Sequence, residues 1–195
     1  MIKERENIVK FFLELGQMWR VKHAGWTIAG VKDPESIAEH SHRAAQIGYV
    51  LAFLEGVDPA KVVLMVLIHD NGEARVNDSH RVANRYVNIK QAEVNAALEQ
   101  FKRLPRKVEK AFREIYQEFE ERKTKEAQCA KDADYLEQAI AAKEYIDLGV
   151  KGCQDWINNI KKVLKTKTAK ELIKVIEKTD INDWWQGLKK LPSKS

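Results

Sequence analysis

Residues 62–68 read Val-Val-Leu-Met-Val-Leu-Ile, and the five that follow are His69, Asp70, Asn71, Gly72 and Glu73. Asp58-Pro59 ahead of the run supplies an N-cap and a proline at the first helical position, so the run is expected to be a helix. A helix apolar on every face has no solvent side and belongs in the core. Its end therefore carries an imidazole and two carboxylates into partly buried surroundings, where ionisable groups are costly unless paired or bound to a metal. Such a chain must wrap other elements around this helix and bring other groups to its end. The bland alternative is a core histidine satisfied by a neighbour, followed by a capping aspartate.

Those other elements read as helices. Ile8, Phe11, Phe12, Leu15, Met18 and Trp19 recur at steps of three and four within Glu4 to Lys22, the mark of one amphipathic face, before Gly25 and Gly30 interrupt. Ser36-Ile-Ala-Glu39 has the capping-box pattern and Gly56 closes the stretch, so a helix is expected from about Ser36 to Glu55. Residues 76–88 read as an irregular connection. Helical patterns resume at about 89–103, 106–122 and 125–148, with shorter ones near 153–164, 168–178 and 180–188. Alternating β-branched runs are missing, which predicts an all-α fold, a single helical bundle. With 195 residues, the chain is long enough to bury a continuous core without disulfide or zinc staples. One domain over 1–195 is expected, its core at about 10–150 and its C-terminal helices, about 151–190, packing on that core.

Charge and cysteine usage narrow the function classes. The net charge is +5, but residues 150–195 hold eleven lysines against five acids, an excess of six that leaves the rest of the chain at −1. No arginine and no interleaved aromatic pattern accompanies those lysines, so solvated helix faces are expected and nucleic acid is not an expected partner. Cys129 and Cys153 have neither CxxC spacing nor a partner cluster, which suits a reducing cytoplasm. The N-terminus mixes charge into its apolar residues and no run of about 18 apolar residues follows, so neither export nor membrane insertion is expected.

Two further strings carry chemistry. In Glu39-His40-Ser41-His42, His40 is followed by Ala44, Ile47 and Leu51 and phases toward the core, while His42 shares a stripe with Ala45, Tyr49 and Phe53. Periodicity does not choose between the two histidines. In Lys131-Asp132-Ala133-Asp134, the two aspartates flank the centre of the helix's apolar face on opposite sides, and spacing again does not decide.

Taken in order, Gly25-Trp26, Pro34-Glu35-Ser36-Ile37-Ala38-Glu39-His40-Ser41, His69-Asp70-Asn71-Gly72-Glu73-Ala74 and Lys131-Asp132-Ala133-Asp134 resemble the HD-domain metal-dependent phosphohydrolases. More narrowly they resemble the subfamily that includes bacterial 5′-deoxynucleotidases and related small HD hydrolases, over residues 10–150 or so. The resemblance implies His40, His69, Asp70 and Asp134 as ligands of one divalent ion, leaving His42 and Asp132 as neighbours. Two imidazoles and two carboxylates suit Mn²⁺, Co²⁺, Fe²⁺ or Zn²⁺ better than Ca²⁺. It also implies Glu73 as a catalytic carboxylate acting on the attacking water, with an outer carboxylate orienting His69 as the alternative, and Asp78 as a further catalytic residue, with a turn aspartate as the alternative.

A phosphate dianion needs cations. Where the subfamily commonly has an arginine two positions before Gly-Trp, this chain has His23. Arg20, Lys22, His23 and Arg75 are the candidate phosphate-binding residues, and Trp26 is a candidate for stacking on a base. The expected activity is hydrolysis of nucleoside (deoxy)5′-monophosphates to nucleoside and phosphate. Alternatives are another nucleotide or small phosphoester, or a non-catalytic module that binds nucleic acid or protein through the basic C-terminal helices. A homodimer is compatible with the resemblance, with Trp184-Trp185 as one candidate contact and an intramolecular cap as the other use of those rings.

Overall fold

The capping signals act where the sequence places them. In the computed structural model, which describes residues 2–188, Ser36 accepts the Glu39 amide while the Glu39 carboxylate accepts the Ser36 amide. That reciprocal pair starts a helix at Ile37–Glu55, which ends where Gly56 turns left-handed at φ 70°. Asp58 caps Pro59–Ile68 through the amides of Ala60 and Lys61. Thr124 caps Lys125–Asp147 through the Ala127 amide.

In chain order the helices are α1 (Ile2–Leu15), α2 (Ala24–Ile28), α3 (Ile37–Glu55), α4 (Pro59–Ile68), α5 (Glu73–Val76), α6 (Ile89–Phe101), α7 (Arg106–Glu121), α8 (Lys125–Asp147), α9 (Gln154–Val163), α10 (Lys167–Ile176) and α11 (Asp183–Gln186). The fold is all-α; among the described residues the β pairing is confined to an isolated bridge between Lys22 and Ser36. None of the described helices is long and apolar enough to cross a membrane.

The first amphipathic stretch is shorter than its periodicity predicts. Helix α1 stops at Leu15, a 3-10 turn covers Gly16–Trp19, and the chain is extended by Lys22. Phe11 and Met18, seven residues apart, are buried, whereas Phe12 and Trp19 beside them lie exposed, so the buried stripe is narrower than the periodicity predicts. Gly25 lies inside α2 and does not break a helix there. Near the C-terminus the expected helix at 180–188 contracts to α11, since Asp180 spends its carboxylate on the amide and side chain of Asn182.

The core is organised around α3, α4 and α8, which pack on one another. Small side chains permit this. Along α8, Ala127, Ala130, Ala133, Ala139, Ala141 and Ala142 are all buried, and Gly48 of α3 sits where a Cβ would stand 3.2 Å from Val62 and 3.4 Å from Ala133. The C-terminal helices are fastened to this centre by polar contacts. Asp132 accepts the amides of Lys165 and Thr166, and Glu55 accepts the Thr168 amide. Asp132 thus anchors the start of α10, on the far side of its helix from Asp134.

Gly72 marks a second close approach. A Cβ there would lie 2.2 Å from the Glu93 carbonyl oxygen of α6, a backbone atom with little freedom to move. Gly72→Ala should destabilise the fold by about 3 kcal/mol, the upper range for forced overpacking, measured by urea unfolding; a loss within error of zero would mean that α6 is free to retreat.

Candidate metal centre

Three helices deliver four donor groups to one point. His40 projects from the first turn of α3, His69 caps the C-terminal end of α4 with Asp70 next to it, and Asp134 comes from the middle of α8. His40 and Asp134 are fully enclosed and His69 nearly so, while the Asp70 side chain keeps 17% exposure. His42, by contrast, is exposed and lies against Gln46, away from the cluster.

Each imidazole has one nitrogen committed and one turned inward. His69 Nδ1 lies 2.7 Å from the Val66 carbonyl oxygen, which can only accept, so Nδ1 carries the proton. His40 Nδ1 donates in the same way to Glu137 Oε2, a short contact to a fully buried carboxylate. The inward atoms are the two Nε2. His40 Nε2 stands 3.2 Å from Asp134 Oδ1 and 3.8 Å from Asp70 Oδ2; His69 Nε2 stands 2.9 Å from Asp70 Oδ2 and 3.8 Å from Asp134 Oδ1. Despite these approaches, His40 Nε2 forms no hydrogen bond of acceptable geometry, an orphaned polar atom in the interior.

Donors each about 2.1 Å from one ion stand about 3.0 Å apart at right angles and about 4.2 Å apart when opposite. Three of the four separations fall in that span and the fourth, 2.9 Å between His69 and Asp70, lies just under it, while His40, His69 and Asp134 offer atoms all within 4.8 Å of one another. The residues fit a divalent ion. A second trio, His23, Glu35 and His40, meets the same distance criterion, but Glu35 is already divided among His23, the Trp26 indole and Arg43. The first set, with its orphaned nitrogen, is the better site.

The electrostatics point the same way. Burial works against charge on His69, yet Asp70 and Asp134 overcome it and push the imidazole up to about 9. Burial likewise opposes charge on His40, and Glu137 and Asp134 outweigh it. Burial disfavours the Asp70 carboxylate, but His69 beside it holds it down to about 2; Asp134 is held low by Lys131 and both imidazoles against the same burial. Without an ion, protons on the imidazoles balance the carboxylates.

The remaining candidates divide. Glu73 lies one turn beyond Asp70, its amide bonded to the Asp70 carbonyl, and its buried Oε2 has no hydrogen-bond partner. Burial, then Asp70, Asp78 and Glu93, hold its carboxyl well above the usual range. Asp78 Oδ2 accepts the Ala24 amide at 2.6 Å, so it ties α2 to the segment after α5. The His23 ring lies 4.7 Å from the His40 ring, with Nδ1 on Glu35.

Trp26 is buried against Tyr145 and Trp156 and has no free face for a base. The cations expected on phosphate are engaged elsewhere. Arg20 donates to the Gly16 carbonyl, Lys22 to Pro34 and Asp33, and Arg75 pairs with Glu14 and Glu99. Each serves its local backbone or a neighbouring acid, and none of these partners belongs to the cluster.

Four residues not singled out by the pattern reading touch the four donor groups or their supports. Lys131 Nζ meets Asp134 Oδ2 at 2.5 Å, over the rings of Phe119 and Tyr135; Gln138 donates to Asp134 Oδ1; Glu137 and Arg43 support His40. Each stands three or four residues from a ligand on the same helix, and that spacing was the available signal.

A family model described as HD domain matches residues 15–176. Among curated proteins, the 5′-deoxynucleotidase HDDC2 of Dictyostelium discoideum is 34% identical over 148 residues, covering 71% of this chain and 77% of that one. The human protein of the same name is 29% identical over 143 residues, covering 73% and 70%. A conserved hypothetical protein from Pyrococcus furiosus superposes with a TM-score of 0.75 at 30% identity, covering 88% of this chain and 99% of its own. A predicted metal-dependent phosphohydrolase from Magnetospirillum magnetotacticum shares the fold, with a TM-score of 0.68 at 21% identity over 90% and 94% of the two chains.

Two outcomes follow from the donor geometry. Asp70→Ala should remove binding of Mn²⁺ or Co²⁺ at normal stoichiometry in a calorimetric titration; a full-strength site in that variant would sink the ligand set. The raised His69 stabilises the ion-free fold below about pH 6.5, and that contribution is lost as pH rises through about 9. An ion competes with those protons, so the rise in Tm on adding Mn²⁺ should be larger at pH 8.5 than at pH 6.

Proposed function

As the chain belongs to the HD-domain family, we propose that it is a divalent-metal-dependent phosphohydrolase that converts nucleoside 5′-monophosphates, deoxy forms included, to nucleoside and phosphate. The observation that carries the reading is the convergence of two inward-turned Nε2 atoms and two carboxylates, with an unpartnered buried carboxylate one turn away. The names of the curated relatives support the choice of substrate.

His40 and His69 offer Nε2, Asp70 offers Oδ2 and Asp134 offers Oδ1. A divalent ion held there would supply Lewis acidity toward a phosphoester and lower the pKa of a water. Glu73 Oε2, with no competing partner, orients that water and takes its proton. Asp78 keeps α2 in place beside the Glu73 turn through the Ala24 amide. Lys131, on the outer oxygen of Asp134, and His23, against His40, are the basic side chains that touch the donor groups and are the candidates for meeting the phosphate.

The mixed nitrogen and oxygen donor set favours Mn²⁺, Co²⁺, Fe²⁺ or Zn²⁺. Two buried cysteines without a disulfide fit work in a reducing cytoplasm. A homodimer is the assembly we expect, with Trp184, exposed on α11, as one contact.

Phosphate release from a panel of ribo- and deoxyribonucleoside monophosphates, with and without Mn²⁺ or Co²⁺, tests the proposal. Metal-dependent release confined to 5′-monophosphates is expected, and no release from any nucleotide would overturn it. Glu73→Ala should bind the ion normally yet lose about 10²- to 10⁴-fold in kcat; near-normal turnover would leave Glu73 an outer carboxylate only.

A further inference from the structure

The two histidines are held by different means. His69 is fixed by the Val66 carbonyl of its own helix, a backbone atom present whatever the sequence. His40 depends on a side chain from another helix, Glu137 of α8, whose carboxylate has no exposure at all. An unpaired carboxylate in that position would be strongly disfavoured. Arg43, one turn after His40 on α3, compensates it: its Nε lies 2.8 Å and its Nη2 2.6 Å from Glu137 Oε1, while Nη1 grips both oxygens of Glu144 and Nη2 reaches Glu35.

This arrangement exceeds what joining α3 to α8 requires. The Arg43–Glu144 pair already makes that connection, at 2.8 and 2.9 Å. Glu137 divides its oxygens instead, giving Oε1 to the guanidinium and Oε2 to the imidazole. It also stands three residues after Asp134, on the same face of α8. One helical turn therefore supplies both a ligand and the group that aims a second ligand from a different helix.

We propose that Glu137 is a positioning residue of the metal centre, holding the proton on His40 Nδ1 and the ring in the plane that turns Nε2 to the ion, with Arg43 fixing Glu137 in turn. The inference rests on the metal reading above. Outer partners of this kind change metal affinity by about 10- to 100-fold when removed.

The test is titration of the metal-free chain with Co²⁺, followed by calorimetry and by the visible absorption of the bound ion. The wild type comes first: no saturable Co²⁺ binding there defeats the metal reading itself, apart from the role of Glu137. Given wild-type binding, Glu137→Gln should weaken Co²⁺ by about 10- to 100-fold and shift the absorption bands, with most of kcat returning at saturating ion. Wild-type affinity with an unchanged spectrum would overturn the proposal. Should Glu137→Gln unfold the chain, Glu137→Asp keeps a carboxylate opposite Arg43 while drawing it back from His40 Nδ1, and the same loss is expected. Independent of any variant, the Zn²⁺-loaded wild type should show the His40 Nδ1 proton far downfield in a ¹⁵N-correlated spectrum; an Nε2-protonated ring would also overturn it.

Discussion

Four ionisable groups meet in the interior of an apolar three-helix crossing, each imidazole within 4 Å of both carboxylates, and burial makes each of their charges expensive on its own. That cost shapes everything around them. Carboxylates lower the penalty for imidazolium, imidazolium lowers it for the carboxylates, and the cluster holds together only as a set. A divalent cation serves the same purpose as the two protons but concentrates the charge at one point, where it can act on a ligand. The polar groups therefore do not oppose the hydrophobic core: they require one another because the core excludes water.

The rest of the fold keeps the crossing tight. Gly48 and the buried alanines of α8 bring three backbones close enough for short side chains to meet. With larger residues there, the aspartates would fall short of the histidines, since an Asp side chain reaches little beyond its own Cβ. Asp132 shows how economically α8 is used. Two residues from a ligand, it faces away from the cluster and caps α10, so one short segment serves the site on one side and the architecture on the other.

Helix boundaries set by caps were legible in the sequence, because a cap is a local interaction between residues three apart: Ser36 with Glu39, Asp58 with Ala60 and Lys61, and Gly56 at a positive φ. The end of α1 was not, since its periodicity continues across Gly16 while the backbone tightens there. For the site, the apolar run into His69 announced a buried polar helix end. The inward choice of His40 over His42 needed either the family resemblance or the burial itself. Arginines and lysines were the least legible. A charged side chain near a motif finds its partner in three dimensions, and Arg75 finds Glu14, 61 residues away, while Arg43 gathers acids from α8.

Exposure among the ligands indicates how a substrate reaches the centre. His40, His69 and Asp134 are closed off by helix packing, and Asp70 is the one of the four with an appreciable open edge. Glu73 lies one turn along the same segment, and Asp78 pins that segment to α2, whose N-terminal neighbour His23 lies against His40. The four donor groups are thus positioned by the rigid crossing, while Glu73, Asp78 and His23 sit on short segments beside it. The same division lets one scaffold keep its metal chemistry constant while the connecting segments vary the molecule being hydrolysed.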